Sequence, residues 1–315
     1  MSISGQGKLA ITCGDPAGVG PEVIRDALRL HPEWVPDVCV FGWETWTSGL
    51  CRELGVETRS IPDPEGGVHP GVPTVAGSGV ALWAMDAAAR ACVAGECFAV
   101  ATAPVSKHWM RQAGMMTPGQ TEFFANAWGG VPTMAFIAAE MRVALVTWHV
   151  PLRDLWLHLT ADAIQRTVRD LVNVLHRLGI SRPRVAVCGL NPHAGEQGQM
   201  GDEELVLIQP ALKAMGDLQA DLSDCLPSDT VFFRHRRGDF DGVVALYHDQ
   251  GLAPLKTVAF DEAVNTSLGL PFVRTSPDHG TGFDIAGKGR ASARSMEAAI
   301  RLAMQLSERN WRLRL

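Results

Sequence analysis

Three largely apolar runs in this chain each lead directly into a histidine. The runs are 143–148, 185–192 and 243–247, and the histidines that follow them are His149, His193 and His248. Short runs of β-branched and aliphatic residues predict strands that are buried on both faces of a parallel sheet. Since open α/β sheets bind ligands beyond the carboxyl ends of their strands, we expect the three imidazoles at one edge. There they could hold one divalent metal ion and leave a coordination position for a substrate.

A simpler alternative is that each histidine only completes a local hydrogen bond. For a lone histidine this is the more common role. The recurrence of the pattern at three strand ends favours the metal.

Strands and helices are predicted to alternate along the rest of the chain. A first strand, Lys8–Thr12, runs into a Gly/Pro-rich loop, and Pro21 suits the first turn of a helix at 22–30. Thr160 is a candidate N-cap for a long amphipathic helix that reaches Leu178. Further helices are predicted at 79–94, from about 122, at 202–215 and at 292–305, with a strand at 98–103 and a surface excursion at 61–73. This alternation indicates an α/β fold with doubly wound, mostly parallel sheets.

The length and charge of the chain narrow the range of functions. At 315 residues two lobes are expected, and we place them at 1–125 plus 270–315 and at 126–269. A hydrophobic content of 46% with 20% charged residues is typical of a globular protein. The formal net charge of −6 argues against nucleic acid or an anionic membrane as a partner. An anionic substrate must therefore be held by local cations.

Cysteine usage and the apolar profile bear on the compartment. The seven cysteines are an odd number without a CxxC pair, which is typical of reduced thiols rather than of disulfides or a thiolate zinc site. No signal-peptide pattern opens the chain, and no apolar stretch has the length of a transmembrane helix. We therefore expect a soluble protein of the cytoplasm.

A glycine-rich loop follows the second of the histidine strands. Backbone amides in such a turn, ahead of a helix, suit an anion such as the pyrophosphate of a cofactor. We therefore predict that Asn191, Gly195 and Glu196 bind the cofactor. The loop lacks a GxGxxG fingerprint, so a turn that merely requires glycine stays an open alternative.

Charged residues near the third histidine form another group of candidates. Asp249 follows that histidine and could orient it or transfer a proton. Lys256 and Arg274 are the cations that a phosphate or carboxylate would need, although loop cations are often merely solvated. Lys107, after the predicted strand at 98–103, is a candidate for proton transfer or for a further substrate contact.

Long and unusual motifs contain most of these candidates. The motifs are GDPAGVGPE (14–22), TAPVSK (102–107), HVPLRD (149–154), CGLNPHAGE (188–196), YHDQGLAPLK (247–256) and VNTSLGLPFVRTSPDHGT (264–281). On these segments the sequence resembles the 4-hydroxythreonine-4-phosphate dehydrogenase family of pyridoxal phosphate biosynthesis. The resemblance extends from residue 11 to about residue 290.

The resemblance implies a fold similar to that of isocitrate and isopropylmalate dehydrogenases, with two α/β lobes. It implies a homodimer with the active site at the subunit interface, to which the second lobe contributes. One divalent metal, zinc first and magnesium or cobalt as alternatives, would be bound by His149, His193 and His248, with the partner subunit completing the set. The substrate contacts of the family fall on Thr121, Lys256, Asn265 and Arg274.

The implied activity is the NAD- or NADP-dependent oxidation and decarboxylation of 4-phosphohydroxy-L-threonine to 3-amino-2-oxopropyl phosphate. Asp249 and Lys107 are then the candidates for proton transfer. A metal- or metabolite-binding protein that has kept the fold without catalysis is an alternative. Metal-dependent hydrolysis is disfavoured, because no spare carboxylate is placed to activate water.

One position departs from the family pattern. Where the family usually has Gly-His-Thr-Glu, this chain has Gly-Gln-Thr-Glu at 119–122. Gln120 can donate a hydrogen bond to the substrate phosphate but cannot become cationic. The alternative is therefore a paralogous dehydrogenase for a related acid, such as 4-phosphothreonate, 4-phosphoerythronate or a carboxylated dihydrodiol.

Overall fold

A computed structural model describes residues 7–307 of the chain, which fall into two compact units. As far as they are described, unit 1 comprises Met1–Val131 and Leu270–Leu315, and unit 2 comprises Pro132–Gly269. The border lies at residue 131 rather than at the expected residue 125, because the whole helix Gln120–Trp128 belongs to unit 1. In that unit the indole N–H of Trp128 donates a hydrogen bond to the Ala89 carbonyl at 3.2 Å.

The described residues contain eleven strands and ten α-helices. The strands are β1 Lys8–Thr12, β2 Val38–Trp43, β3 Glu57–Ile61, β4 Cys97–Thr102, β5 Thr133–Ile137, β6 Arg142–Leu145, β7 Arg184–Cys188, β8 Asp221–Leu226, β9 Gly242–Ala245, β10 Val264–Leu268 and β11 Val273–Pro277. The helices are α1 Gly20–Leu30, α2 Glu44–Leu54, α3 Val75–Val93, α4 Lys107–Gln112, α5 Gln120–Trp128, α6 Ala161–Arg177, α7 Gln209–Lys213, α8 Ser228–Arg236, α9 His248–Ala259 and α10 Arg294–Leu306. None of these helices is both long and apolar enough to cross a membrane.

Unit 1 is a parallel sheet with helices on both faces. Its five strands stand in the order β3-β2-β1-β4-β11, and each neighbouring pair is parallel. One apolar core joins α1, α2 and α10 to one face, and another joins α3 and α5 to the opposite face. Strand β2 is buried along its full length, as expected for a strand covered on both sides. The order of strands reverses between β1 and β4, and doubly wound sheets bind ligands at such a point.

Unit 2 carries a mixed sheet in the order β10-β5-β6-β9-β7-β8. β6, β9, β7 and β8 run parallel to one another, whereas β5 is antiparallel to both of its neighbours. α8 and α9 share an apolar core with one face of the sheet, and α6 packs against strands β6 and β9. The α/β class and the mostly parallel sheets predicted from the sequence are confirmed.

Helix ends follow the predicted capping chemistry in one case and differ in another. Thr160 caps α6, since its hydroxyl oxygen accepts a hydrogen bond from Ala163 N at 3.2 Å. The helix predicted at 202–215 is instead a π turn, Glu204–Ile208, followed by α7. Pro210 explains the difference, because proline has no N–H to donate to the carbonyl four residues earlier.

Candidate active site

The three histidine-bearing segments leave neighbouring strands of unit 2. β6, β9 and β7 are adjacent and parallel, so their carboxyl ends lie at one edge of this sheet, as the sequence predicted. The imidazoles of His149 and His248 lie close together, with 5.7 Å between ring centroids and 38° between ring planes. Beyond β6, Val146 N donates to Ala245 O at 2.9 Å and so continues the ladder towards His149.

The neighbouring carboxylate of Asp249 sets the hydrogen-bonding state of His248. Nδ1 of His248 lies 2.7 Å from Oδ1 of Asp249. A carboxylate can only accept, so Nδ1 carries a proton, and in the neutral ring the lone pair is then on Nε2. A histidine oriented in this way by a carboxylate is the usual state of a metal ligand. The sequence-based proposal that Asp249 orients His248 therefore has a direct contact behind it.

His193 lies in a strained turn. Five consecutive residues, 193–197, have positive φ angles of 53°, 52°, 78°, 42° and 57°, and only Gly195 among them is a glycine. His149 also has a positive φ, 52°. Such backbone is uncommon for residues with a side chain, and it persists where the surroundings determine it.

A buried carboxylate, Glu204, holds the segment that leads into this turn. Its Oε1 accepts hydrogen bonds from the backbone N–H groups of Leu190 (2.7 Å) and Asn191 (2.8 Å). Its Oε2 accepts a third from Nδ2 of Asn191 at 3.1 Å. These hydrogen bonds lower the pKa of Glu204 although burial acts in the opposite direction. Glu204 thus remains ionised at neutral pH.

The predicted cofactor residues lie in the same turn. The backbone and side-chain N–H groups of Asn191 already donate to Glu204, and its Nδ2 is also 2.5 Å from Glu203 Oε2. The carboxylate of Glu196 lies 3.7 Å from Nδ1 of His193. Cofactor binding at Asn191, Gly195 and Glu196 stays a prediction. One of the backbone amides expected to bind a pyrophosphate, that of Asn191, already donates to Glu204.

A single chain brings together part of the predicted metal site. Among residues 7–307, no group of three or more His, Cys, Asp or Glu side chains is arranged to hold a metal ion. The pair His149 and His248 nevertheless suits one, since two imidazoles on a tetrahedral ion have centroids roughly 5 Å apart at usual metal–nitrogen distances. The three-histidine site stays a prediction.

Unit 1 places a buried cation at the end of β4. Arg274 is 3% exposed and donates from Nε (3.1 Å) and Nη2 (2.8 Å) to Oγ1 of Thr102. That hydroxyl in turn donates to the Thr275 carbonyl at 3.4 Å. Burial lowers the pKa of Arg274 to about 10, and the charge of Glu122 acts in the opposite direction. The guanidinium is therefore still a cation at neutral pH.

Three other predicted residues of unit 1 lie near the end of the same strand. Gln120 opens α5, and its Nε2 donates to the Ala103 carbonyl at 3.4 Å. Oε1 of Gln120 is buried and has no hydrogen-bond partner among the described residues. Cε of Lys107 lies 3.8 Å from the position that a Cβ atom on Gly119 would take. Thr121, the third of them, is 4% exposed.

The remaining substrate candidates belong to unit 2. Lys256 lies on α9, with its Nζ 5.9 Å from the centroid of the Phe260 ring. Asn265 lies in β10, opposite Phe136 of β5. Neither position tests the predicted substrate role, which stays a prediction.

Two residues that join the histidine segments were missed by the sequence analysis. These are Glu204 and Gln250; the amide of Gln250 accepts from Leu246 N (2.7 Å) and donates to the Gly189 carbonyl (2.7 Å). Its place as the last of three consecutive acidic residues, directly before the apolar run 205–208 and eleven residues after His193, is the sequence signal for Glu204. Gln250 has no such signal, because its role depends on the pairing of β9 with β7.

Comparison with known proteins gives consistent matches. The profile of the family described as "Pyridoxal phosphate biosynthetic protein PdxA" matches residues 43–303. A 4-hydroxythreonine-4-phosphate dehydrogenase of Bradyrhizobium diazoefficiens is 41% identical, over 95% of this chain and 96% of the relative. The crystal structure of a 4-hydroxythreonine-4-phosphate dehydrogenase from Klebsiella pneumoniae is 34% identical with a TM-score of 0.85, covering 98% of this chain and all of the other.

More distant structures are similar over most of the chain. A terephthalate 1,2-cis-dihydrodiol dehydrogenase from Burkholderia xenovorans is 27% identical with a TM-score of 0.72, covering 96% of this chain and 98% of the other. An isocitrate dehydrogenase from Methylococcus capsulatus, 14% identical with a TM-score of 0.50, covers 95% of this chain and 85% of its own. The latter similarity concerns the fold alone, and it agrees with the fold expected from the sequence.

Proposed function

The chain belongs to the pyridoxal phosphate biosynthetic protein PdxA family, and from this membership we propose that it is a 4-hydroxythreonine-4-phosphate dehydrogenase. The proposed reaction converts 4-phosphohydroxy-L-threonine and NAD⁺ into 3-amino-2-oxopropyl phosphate, carbon dioxide and NADH. The pairing of His149 with His248 at a strand edge, with Asp249 hydrogen-bonded to His248, is the structural observation that supports it most.

The donor set of unit 2 fits a divalent cation. His149 and His248 would hold it, and we propose that His193 belongs to the same set once a homodimer is formed, with the second copy of the chain completing the three imidazoles. Zinc is the first candidate, with magnesium and cobalt as alternatives. When bound, the cation would polarise the substrate hydroxyl and the nicotinamide of NAD or NADP would accept the hydride.

The chain's own polar residues would bind and orient the substrate. Arg274 and Lys256 supply positive charge for the phosphate, and Gln120, Thr121 and Asn265 supply neutral hydrogen-bonding groups. Such groups help most when they are fixed before the substrate arrives, as the Arg274 guanidinium is by Thr102.

Two residues are proposed for proton transfer. Asp249 holds the proton on Nδ1 of His248 and so keeps that ring in one tautomer. Lys107, beside Gly119 at the start of α5, is the proposed second group. The seven cysteines are all free thiols, which agrees with the cytoplasm as the proposed compartment.

Turnover by the full chain tests the proposal. The protein is stripped with a chelator and reloaded with Zn²⁺, Mg²⁺ or Co²⁺, and formation of NADH or NADPH is followed with 4-phosphohydroxy-L-threonine. We expect turnover that depends on the metal and that is abolished in H149A and H248A. The control variant H176A should retain turnover, because His176 lies on α6 and its Nδ1 contacts the Ile180 carbonyl. Undiminished turnover without metal would overturn the metal site.

Related acids, supplied in parallel, distinguish the alternatives. The comparison substrates are 4-phosphothreonate, 4-phosphoerythronate and a terephthalate cis-dihydrodiol. A higher kcat/KM for one of these than for 4-phosphohydroxy-L-threonine would replace the proposed substrate while leaving the dehydrogenase in place. Metal and cofactor binding without turnover of any of the four would favour a non-catalytic binding protein.

A further inference from the structure

The turn that carries His193 cannot be held by its own backbone preferences. Four of its residues, His193, Ala194, Glu196 and Gln197, have side chains and adopt left-handed backbone angles. Left-handed geometry is unfavourable for an L-residue because it brings Cβ too close to the following carbonyl oxygen. A run of four such residues therefore needs contacts from outside the turn.

Glu204 supplies these contacts from the inside of the turn. Its residue exposure is 1%, and its two oxygens receive three hydrogen bonds from Leu190 and Asn191, the residues just before the turn. The turn also closes tightly on the carboxylate. A Cβ atom on Gly195 would lie 2.7 Å from Oε2, and one on Gly189 would lie 3.2 Å from Oε1.

A second set of contacts joins the segment before His193 to the segment that leads into His248, another predicted metal ligand. The buried Gln250 amide links the Gly189 carbonyl, at the end of β7, to Leu246 N, two residues before His248. Ser228 strengthens the link, since its hydroxyl donates to the Gly189 carbonyl at 3.0 Å and accepts from Nε2 of Gln250 at 2.8 Å. The segments leading to His193 and His248 are thus fixed to each other through buried hydrogen bonds.

We propose that Glu204 is a positioning residue for His193: it holds the left-handed turn that presents this imidazole, and Gln250 ties the turn to the segment of His248. The inference rests on the proposed function, in which His193 helps to bind the divalent cation. Buried groups that orient metal ligands usually affect metal affinity by about 10- to 100-fold.

Two measurements on the full chain test the role of Glu204. The first, on metal-free protein, is amide hydrogen exchange at Leu190 and Asn191 in wild type, E204A and E204Q. The second is the Co²⁺ affinity of the same proteins, measured from the visible absorption of bound cobalt. D170N is the matched control, because Asp170 is another carboxylate of unit 2 that is hydrogen-bonded, in this case to Thr133 Oγ1 at 2.6 Å.

We expect E204A to exchange both amides at least about tenfold faster and to bind Co²⁺ about 10- to 100-fold more weakly. E204Q keeps an oxygen for the two amides and should recover most of the protection, whereas D170N should change neither quantity by more than about twofold. If Leu190 and Asn191 exchange at the wild-type rate in E204A, the proposal is wrong.

A double-mutant cycle separates positioning of His193 from a general loss of structure. In an H193A background, adding E204A should weaken Co²⁺ binding by less than about twofold, because the positioned ligand is already gone. An equal loss in both backgrounds would overturn the inference. Absence of Co²⁺ binding by the wild-type chain would refute the proposed metal site instead, and the exchange measurement alone would then decide whether Glu204 holds the turn.

Discussion

Oδ1 of Asp249 lies 2.7 Å from Nδ1 of His248, and this contact fixes which ring nitrogen of His248 can bind a ligand. The Asp249 side chain is 85% exposed, so the pair contributes little to folding stability. Its effect is therefore expected in ligand binding rather than in the free energy of unfolding.

Replacing Asp249 by asparagine tests this separation. D249N loses the obligatory acceptor, so His248 is no longer held in one tautomer, and Co²⁺ affinity should fall by about 10- to 100-fold. The free energy of unfolding should change by no more than about 0.5 kcal/mol. Cobalt titration and urea unfolding give the two quantities. The control is D229N, since Asp229 is an exposed carboxylate in the first turn of α8. It should leave the Co²⁺ affinity and the free energy of unfolding unchanged.

Gln120 gives a second prediction, about substrate preference. Its Nε2 donates one hydrogen bond to the Ala103 carbonyl at 3.4 Å, which leaves one neutral N–H of the amide for a phosphate. Its buried Oε1 has no partner among residues 7–307 and, as an acceptor, cannot bind a phosphate oxygen. Q120H replaces this amide by a ring that can become cationic. The KM for 4-phosphohydroxy-L-threonine should fall by about 3- to 10-fold below pH 7, with a smaller change in kcat.

The same substitution at an exposed site controls for surface charge. The control position is Gln112 on α4, which is exposed and whose Nε2 lies 3.0 Å from Nε2 of His108; the control variant is Q112H. It should leave KM unchanged. A KM that Q120H does not alter for any phosphorylated substrate would show that residue 120 does not contact the phosphate.

The sequence predicted the sheet edge at which the three histidine segments end better than it predicted the contacts between those segments. Apolar runs ending in histidine identified β6, β7 and β9, because buried parallel strands leave a local pattern. The hydrogen bonds that Glu204 and Gln250 make to the histidine segments correspond to almost no such local pattern. Gln250 donates to Gly189 from a segment 61 residues away in sequence. Glu204 folds back on Leu190 and Asn191 from 14 and 13 residues further along the chain, so both roles depend on tertiary contacts rather than on a local pattern.

For the loop at 191–198 the sequence indicated a kind of turn but not the group that its backbone amides bind. Its glycines and its place after a strand suggested an anion-binding turn, but glycine spacing does not reveal which group receives the backbone amides. In the structure Glu204, itself an anion, receives those of Leu190 and Asn191. A carboxylate of the chain and a phosphate of a ligand satisfy the same amides, and sequence alone cannot distinguish them.

Thr102 provides a stability prediction, because its hydroxyl accepts two hydrogen bonds from the buried Arg274 guanidinium. T102V keeps the side-chain shape and leaves those charged donors without this acceptor, at a cost of about 1.5–3 kcal/mol in the free energy of unfolding. T275V, on the neighbouring strand β11, removes a neutral hydrogen bond to the Ala299 carbonyl and should cost about 0.5–1.5 kcal/mol. Urea unfolding compares them, and equal losses would contradict a special role for the charge.

His235 gives a prediction about pH, since it is 3% exposed and both of its ring nitrogens are engaged. Nδ1 lies 2.8 Å from the Phe240 carbonyl, which can only accept, and Nε2 accepts from Arg142 N at 3.0 Å. The folded state therefore requires the neutral ring, and burial lowers the pKa of His235 below its ordinary value of 6.5. By linkage, the stability that this residue contributes is fully present above pH 6.5 and is lost as the pH falls towards the folded-state pKa.

The substitution H235Q measures that contribution directly. Glutamine does not titrate, and it loses at least one of the two buried hydrogen bonds, so at about pH 8 the variant should be about 1–3 kcal/mol less stable than wild type. Because only the wild-type chain loses the histidine contribution on acidification, the difference between the two proteins should narrow between about pH 7 and pH 5. Urea midpoints across this range give the difference at each pH. A gap that stays constant, or that widens in acid, would mean that protonation of His235 is not coupled to unfolding.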